Sequence, residues 1–346
     1  MDQEKQTVKN TQKLYPRITI VTPSYNQGSY LEETILSVLS QNYPNLEYII
    51  MDGASTDHSV EIIRKYENKL AFWTSEKDNG QADAIRKGLA HFTGDVFGWL
   101  NSDDLLIPGS LLRIGSLFTE KKCQAVCGAT RLFDGKKELN LAPSFLENDT
   151  LESALERFNF NQPGTFYHKS AIEKMGSLNG ELHFVMDKEW WNRFLLNCGT
   201  RGICTIDDQL AKFRLHGDSK TGSSVNKFYA EYASVLFSLA DLTGERKNAM
   251  LLKDKYPSIE KISLAKEYYQ AITEGEVYKM TALFLLRLHH HVYIREDFIF
   301  AKKLISEVDW SFVRPGAEYS KAFALLQKNT SPSNWFFFRL QRKLNR

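Results

Sequence analysis

The chain reads as an α/β protein, with a mostly parallel sheet flanked by helices and an α-helical C-terminal region. Three observations predict this. Short apolar or β-branched runs alternate with amphipathic helical patterns through the N-terminal part, as in right-handed βαβ crossovers. Two of those runs end abruptly in acidic turn residues, Asp52-Gly53-Ala54-Ser55-Thr56-Asp57 and Asn101-Ser102-Asp103-Asp104. In an open sheet, ligands sit outside such carboxyl ends. After Gly222-Ser223-Ser224 the pattern turns helical. The expected organisation is a polar lead-in over residues 1–16, an α/β domain over 17–222 and a helical region over 223–346.

The elements follow in order. Ile18-Thr19-Ile20-Val21-Thr22 is a β-branched strand stopped by Pro23, and Ser24-Tyr25-Asn26-Gln27-Gly28 is turn chemistry. Ser29 and Glu32 have capping-box spacing before a helix whose Leu31, Ile35, Val38 and Leu39 share one face. A second strand covers 47–51, and Asp57 is set to cap a helix over 59–66. A third strand spans 71–74, and a helix spans 81–91. The fourth strand, 96–100, runs into Asp103-Asp104. Two adjacent carboxylates on a rim either gather a hard cation or form a solvated turn that caps the next helix. A helix over 108–118, a strand over 125–132 and a hairpin signal at Asp134-Gly135 follow.

Bulk properties narrow the function classes. A net charge of +2 over 346 residues gives no electrostatic case for nucleic acid. The four cysteines, Cys123, Cys127, Cys198 and Cys204, form no CxxC pair, so no disulfide framework and a cytoplasmic location are expected, with Cys123 and Cys127 as packing thiols. The first residues lack the apolar core of a signal peptide, and no run approaches the ~18 apolar residues of a membrane span. No GxGxxG follows the first strand, which argues against a dehydrogenase.

Thr22-Pro23-Ser24-Tyr25-Asn26, the run Leu31-Glu32-Glu33-Thr34-Ile35-Leu36-Ser37-Val38-Leu39-Ser40-Gln41, Asp52-Gly53-Ala54-Ser55-Thr56-Asp57 and Asn101-Ser102-Asp103-Asp104 occur in that order. Together they resemble the opening of the family 2 glycosyltransferases, and the resemblance covers roughly residues 17–220. It implies the GT-A fold and an inverting transfer of a hexosyl or N-acetylhexosaminyl group from a nucleotide donor, usually a UDP sugar. A divalent cation, Mn²⁺ or Mg²⁺, is the implied cofactor. On this resemblance Pro23, Ser24 and Tyr25 shape the uridine pocket, and Asp52 accepts the uracil imide N–H. Asn101, Ser102 and Asp103 face the donor, and Asp103 holds the cation. Two departures stand out. Asn101 replaces the family's first aspartate, which implies weaker metal binding, and Ile85 stands where an arginine is often found. Asp83, nearby, either meets the ribose or sugar or serves as a helix N-terminal carboxylate.

The acceptor side has two further segments. Asn161-Gln162-Pro163-Gly164 borders the acceptor pocket in related members, with Gln162 as a contact and His168 as a surface residue. Met186-Asp187-Lys188-Glu189-Trp190-Trp191-Asn192-Arg193 resembles the family's acidic motif, with Asp187 as general base. An inverting displacement needs such a base, because the acceptor hydroxyl must shed its proton as it attacks. Glu189 is the second choice, and Trp191 is set to stack on a sugar face or to pack. Phe213-Arg214-Leu215-His216-Gly217-Asp218-Ser219-Lys220 resembles the family's closing segment. It offers His216 to the metal or diphosphate, and Arg214, Ser219 and Lys220 to phosphate.

Residues 223–346 carry no family motif. Their basic-aromatic end, 334–346, suits either peripheral contact with the inner face of a membrane or a docked terminal helix. The implied partners are a UDP-sugar donor and a glycan or lipid-linked acceptor. Two rival readings remain, a sugar nucleotidyltransferase and a nucleotide-sugar-binding protein without turnover. The first lacks its Gly-rich loop with a phosphate-grasping lysine, and the second has no need of Asp187.

Overall fold

The computed structural model describes residues 15–144, 151–156, 160–217, 225–291 and 298–330. Most of the lead-in, Ser219, Lys220 and the stretch 334–346 lie outside the described residues. The chain divides into two compact units, Met1–Ser223 and Ser224–Arg346.

The first unit opens with β1 (Ile18–Ser24), α1 (Gly28–Leu39), β2 (Leu46–Asp52), α2 (Ser59–Tyr66), β3 (Phe72–Ser75), α3 (Gln81–Ala90) and β4 (Val96–Trp99). These four strands are parallel, in the order β3-β2-β1-β4. The register sets Ser24 beside Asp52 and Asp52 beside Ser75, so three polar residues line the carboxyl ends. β1 is buried along its whole length. Its Ile18 and Ile20 meet Leu31, Ile35 and Val38 of α1 in the core, each such side chain contributing about 1.5–3 kcal/mol.

Then come β5 (Leu105–Leu106), α4 (Ser110–Glu120), β6 (Ala125–Phe133), β7 (Glu138–Ala142), α5 (Leu151–Glu156), β8 (Thr165–His168), α6 (Lys169–Met175), α7 (Met186–Cys198) and β9 (Ile203–Arg214). The sheet continues from β4 through β8, β6 and β9 to β5, with β7 on the flank of β6. β8 is antiparallel to both β4 and β6, which makes the sheet mixed. Gly98 permits the β4–β8 contact, since a Cβ there would fall 2.6 Å from the Phe166 ring. The hairpin at Asp134-Gly135 forms, with Gly135 at φ 89° and Asp134 Oδ1 accepting the amides of Lys136 and Lys137.

Two local expectations are corrected. The capping box at Ser29 and Glu32 does not form. Helix α1 starts at Gly28, whose amide donates to Asp57 Oδ2 at 2.8 Å, while Glu32 instead binds Lys65 and Tyr66. A long-range cap has replaced the local one. The cysteines are not all thiols, because Cys123 and Cys204 form a disulfide, leaving Cys127 and Cys198 free. They lie 81 residues apart in the chain, and only the parallel pairing of β6 with β9 brings them together. His168 caps α6, its Nδ1 accepting the Ser170 amide at 3.2 Å.

The second unit is helical: α8 (Val225–Thr243), α9 (Lys247–Lys255), α10 (Glu274–His291), α11 (Phe298–Glu307), α12 (Trp310–Val313) and α13 (Ser320–Thr330). Tyr232, Val235, Leu236 and Leu239 of α8 are buried, as their spacing predicts. Glu245 caps α9 by accepting the amides of Asn248 and Ala249. Among the described residues no helix is long and apolar enough to cross a membrane.

Candidate functional site

The carboxyl ends of β1 to β4 carry the polar residues singled out above. The loops after β1 and β2 are sewn together. The Gly53 amide donates to the Ser24 carbonyl at 2.8 Å, the Thr56 amide to Asn26 Oδ1 at 2.8 Å, and the Asn26 amide to Ser55 Oγ at 2.8 Å. Asn26 and Ala54 adopt positive φ to make these turns. Asp57 braces both loops, accepting from Gly28 and from the Ser59 amide. Burial alone would raise the Asp57 pKa. Hydrogen bonds from Ser59 and the Gly28 amide, with His58 nearby, outweigh it and hold the carboxyl below its usual value.

Inside this double loop Asp52 is almost wholly buried. It accepts from Ser55 Oγ at 2.6 Å, the Ser55 amide at 2.9 Å and Ser75 Oγ at 2.7 Å. A carboxylate offers about four acceptor positions, so one remains for a ligand N–H. Ser24 Oγ is buried and has no hydrogen-bond partner, which suits a polar ligand. Pro23 is buried, and Tyr25 is exposed at the mouth.

The second rim segment follows β4. Asp103 is partly exposed, whereas Ser102 and Asp104 are buried. Thr34 Oγ1 anchors the loop by donating to the carbonyls of Ser102 and Asp104 at 2.9 and 2.8 Å. Asp104 Oδ1 accepts the Arg214 amide at 3.0 Å. Burial, and then the neighbouring Asp103 charge, push the Asp104 carboxyl well above the usual range, with Arg214 and Asn101 opposing them. His216 Nε2 lies 3.0 Å from Asp103 Oδ2, and its ring packs on Tyr30. Asp103 and His216 thus converge, as a shared ligand requires. Among the described residues no group of three or more His, Cys, Asp or Glu side chains gathers as a metal cage. The pair still fits a hard cation, since Mg²⁺-type ions take one or two protein ligands and complete their shell with phosphate oxygens and water.

Arg214 is not free for phosphate. It is buried, donates from Nε to the Asp103 carbonyl at 2.9 Å, pairs with Glu33, and lies over the rings of Tyr30 and Phe133. Its task is to hold the loop. Neither Glu33 nor Tyr30 was distinguishable in the sequence from ordinary helix residues.

Asp83 sits in the first turn of α3. It accepts the Asn79 amide at 3.1 Å and pairs with Arg86 and Lys87. Burial works against its ionised form, but Arg86, the Asn79 amide and Lys87 win, and the carboxyl lies below its usual value. A carboxyl depressed on folding takes its proton more readily in the unfolded chain. Its contribution is therefore whole above the unfolded value of about 3.9 and is lost as pH falls through the lower folded value. Thermal midpoints of the native chain and Asp83→Asn, measured from pH 6 to pH 3, check this. The variant is expected to be about 1 kcal/mol less stable at pH 6, with the difference starting to shrink only below about pH 4 and closing as pH passes the lower folded value. Parallel curves would contradict it.

The third segment is α7. Asp187 lies in its first turn, half-buried, with Oδ1 accepting the Lys188 amide at 2.8 Å. Trp190 anchors the helix beside β4, its ring centroid 5.9 Å from Phe97, 5.6 Å from Trp99 and 4.9 Å from Tyr167. Its Nε1 donates to the Gly176 carbonyl at 2.8 Å. The preceding loop passes over the start of α3, where a Cβ on Gly80 would lie 3.3 Å from His183. Asp187 is therefore delivered to the same end of the sheet as Asp83. Glu189 is buried in an ion pair with Arg193 at 2.9 Å, and Trp191 is buried and stacked on Phe194. Both support the helix from within rather than from its accessible surface. Gln162 is partly buried, with Nε2 donating to the Trp99 carbonyl at 2.7 Å.

Comparison with known proteins follows this geometry. A sequence model described as Glycosyl transferase family 2 matches residues 19–197. An uncharacterized glycosyltransferase of Rickettsia typhi is 26% identical over 224 residues, 61% of this chain and 68% of the relative. A Bacillus subtilis glycosyltransferase named for teichuronic acid biosynthesis, TuaG, is 34% identical over 111 residues, 31% of this chain and 44% of the relative. The crystal structure of S. aureus TarS 1–349 in complex with UDP aligns at a TM-score of 0.56 and 17% identity, over 90% of this chain and 88% of that one. The same TarS segment in complex with UDP-GlcNAc aligns equally well.

Proposed function

Because the chain belongs to the family 2 glycosyltransferases, an enzyme family, we propose that it moves a sugar from a UDP donor to a glycan or lipid-linked hydroxyl with inversion. One observation carries this reading. Asp52 ends β2 at the carboxyl end of the parallel strands, Asp103 pairs with His216 in the turn after β4, and Asp187 lies in the first turn of α7, whose preceding loop lies against the start of α3. They supply in turn a base-recognising acceptor, a diphosphate-side ligand pair and a proton acceptor.

The reaction is a single displacement. The donor uracil imide gives its N–H to the remaining acceptor position of Asp52, within the pocket of Pro23, Ser24 and Tyr25. An acceptor hydroxyl approaches past Gln162, and Asp187 takes its proton as the oxygen attacks the anomeric carbon. The new glycosidic bond forms as the bond to the diphosphate breaks, and UDP leaves. A Mg²⁺ or Mn²⁺ ion held by Asp103 and His216 would supply electrostatic stabilisation of the departing diphosphate. That charge develops in the transition state, so stabilising it accelerates the step. The buried Arg214 and Thr34 keep the Asp103 loop in shape for this.

The UDP-GlcNAc bound by TarS makes that sugar the first donor to try, and the teichuronic acid in TuaG's name makes a polysaccharide the first acceptor class to try. The test is UDP release from a panel of UDP sugars with Mn²⁺ or EDTA. Metal-dependent release from one donor is the expected result. Absence of UDP binding with metal present overturns the reading, and binding without release after acceptors are supplied supports a non-catalytic binder.

A further inference from the structure

Asn101 is gripped from three sides. Its Oδ1 accepts from Gln81 Nε2 at 2.7 Å, and Gln81 is the first residue of α3. Its Nδ2 donates to Asp104 Oδ2 at 3.2 Å and lies 3.4 Å from Gln162 Oε1. Gln162 is tied in turn to the end of β4 through the Trp99 carbonyl at 2.7 Å. The other oxygen of Asp104 accepts the Arg214 amide. Asp104 is fully buried with one oxygen on the Arg214 amide and the other on Asn101 Nδ2, so the side chain at position 101 serves it as a donor. The same side chain must accept from Gln81. An amide does both, and a carboxylate cannot.

Resting on the transferase reading above, we infer that Asn101 is a positioning residue rather than a weakened metal ligand. With Gln81 and Gln162 it forms an amide relay that fixes Asp104, and through Asp104 the loop that presents Asp103. The relay runs from the helix beside the donor residues to the turn expected to meet the acceptor. An aspartate at position 101 would aim a second carboxylate at buried Asp104 and an oxygen at Gln162 Oε1. The resemblance alone predicts that Asn101→Asp strengthens metal use. The relay predicts the reverse.

The test is a charge exchange across the pair, using the full chain, N101D, D104N and the N101D/D104N double variant. In the double variant the new amide at position 104 accepts from the Arg214 amide and donates to the new carboxylate at position 101. That carboxylate still accepts from Gln81. Thermal midpoint and Mn²⁺-dependent UDP release from UDP-GlcNAc are read for all four. Asn101→Asp is expected to lower the midpoint by roughly 5 °C and release about tenfold. The double variant is expected to regain most of both losses, a coupling that independent sites do not show. Asn101→Asp at or above the native chain in both readouts overturns the relay, as does a double variant worse than either single one. If the native chain releases no UDP from any donor, the function reading fails, and the midpoints still decide the relay. Should Asn101→Asp not fold, Gln81→Leu carries the test. It removes one bond to the same amide, and kcat for UDP release should fall about fivefold with KM for the donor kept within about twofold. An unchanged kcat overturns the inference.

Discussion

Asp103→Ala is expected to lower the proposed metal-dependent UDP release by about a thousandfold, the loss that follows when a group stabilising transition-state charge is removed. The side chain is partly exposed and faces His216. The loop itself should survive. Its anchors run through the backbone and Asp104: Thr34 to the carbonyls of Ser102 and Asp104, and Arg214 to the Asp103 carbonyl and the Asp104 carboxylate. An unchanged thermal midpoint with lost release is thus the expected pair of results. Release within tenfold of the native rate, at the same Mn²⁺ concentration, would remove Asp103 from the metal site. His216→Ala provides the companion measurement, because loss of the imidazole should raise the Mn²⁺ concentration needed for half-maximal rate.

Asp187→Asn is expected to cut kcat by about 10²–10⁴-fold, the range for removing a general base, while UDP binding is kept. The amide oxygen can still accept the Lys188 N–H, so the start of α7 is preserved. Trp190 and the Glu189–Arg193 pair hold the rest of the helix regardless. Calorimetric titration with UDP and Mn²⁺, beside acceptor-dependent turnover, separates the two effects. A loss shared equally between UDP affinity and turnover would show that the residue shapes the pocket instead of moving the proton.

Much of this was legible from residue order. The β1, β2 and β4 strands, the helices between them and the turns at their carboxyl ends announce themselves through apolar runs that stop at Gly, Asn, Asp and Pro. The positions of Asp52, Asp103 and Asp187 follow from those runs and from the resemblance. What stayed hidden is whatever depends on pairing across long separations. Arg214 is a plausible phosphate ligand when read as a loop cation, yet the fold buries it against Glu33 and the Asp103 carbonyl. Cys123 and Cys204 carry no spacing signal, and their bond exists because β6 and β9 run side by side. Glu189 and Trp191 look available on a helix start, but packing turns them inward. Glu32 fits a local capping box and is taken instead by Lys65 and Tyr66, more than 30 positions away.

The strand order carries a consequence for biosynthesis. β5 is only two residues long and, among the described residues, pairs with β9 alone, which is made about a hundred residues later. Asp104 waits for the same late strand, since its Arg214 partner lies 110 positions downstream. A ribosome-bound chain that has emerged only through the Asp103 turn can pair β1 to β4 and hold the turn through Thr34 of α1, but it lacks the Arg214 contacts. The turn that presents Asp103 is therefore complete only once β9 has left the exit tunnel and paired with β5.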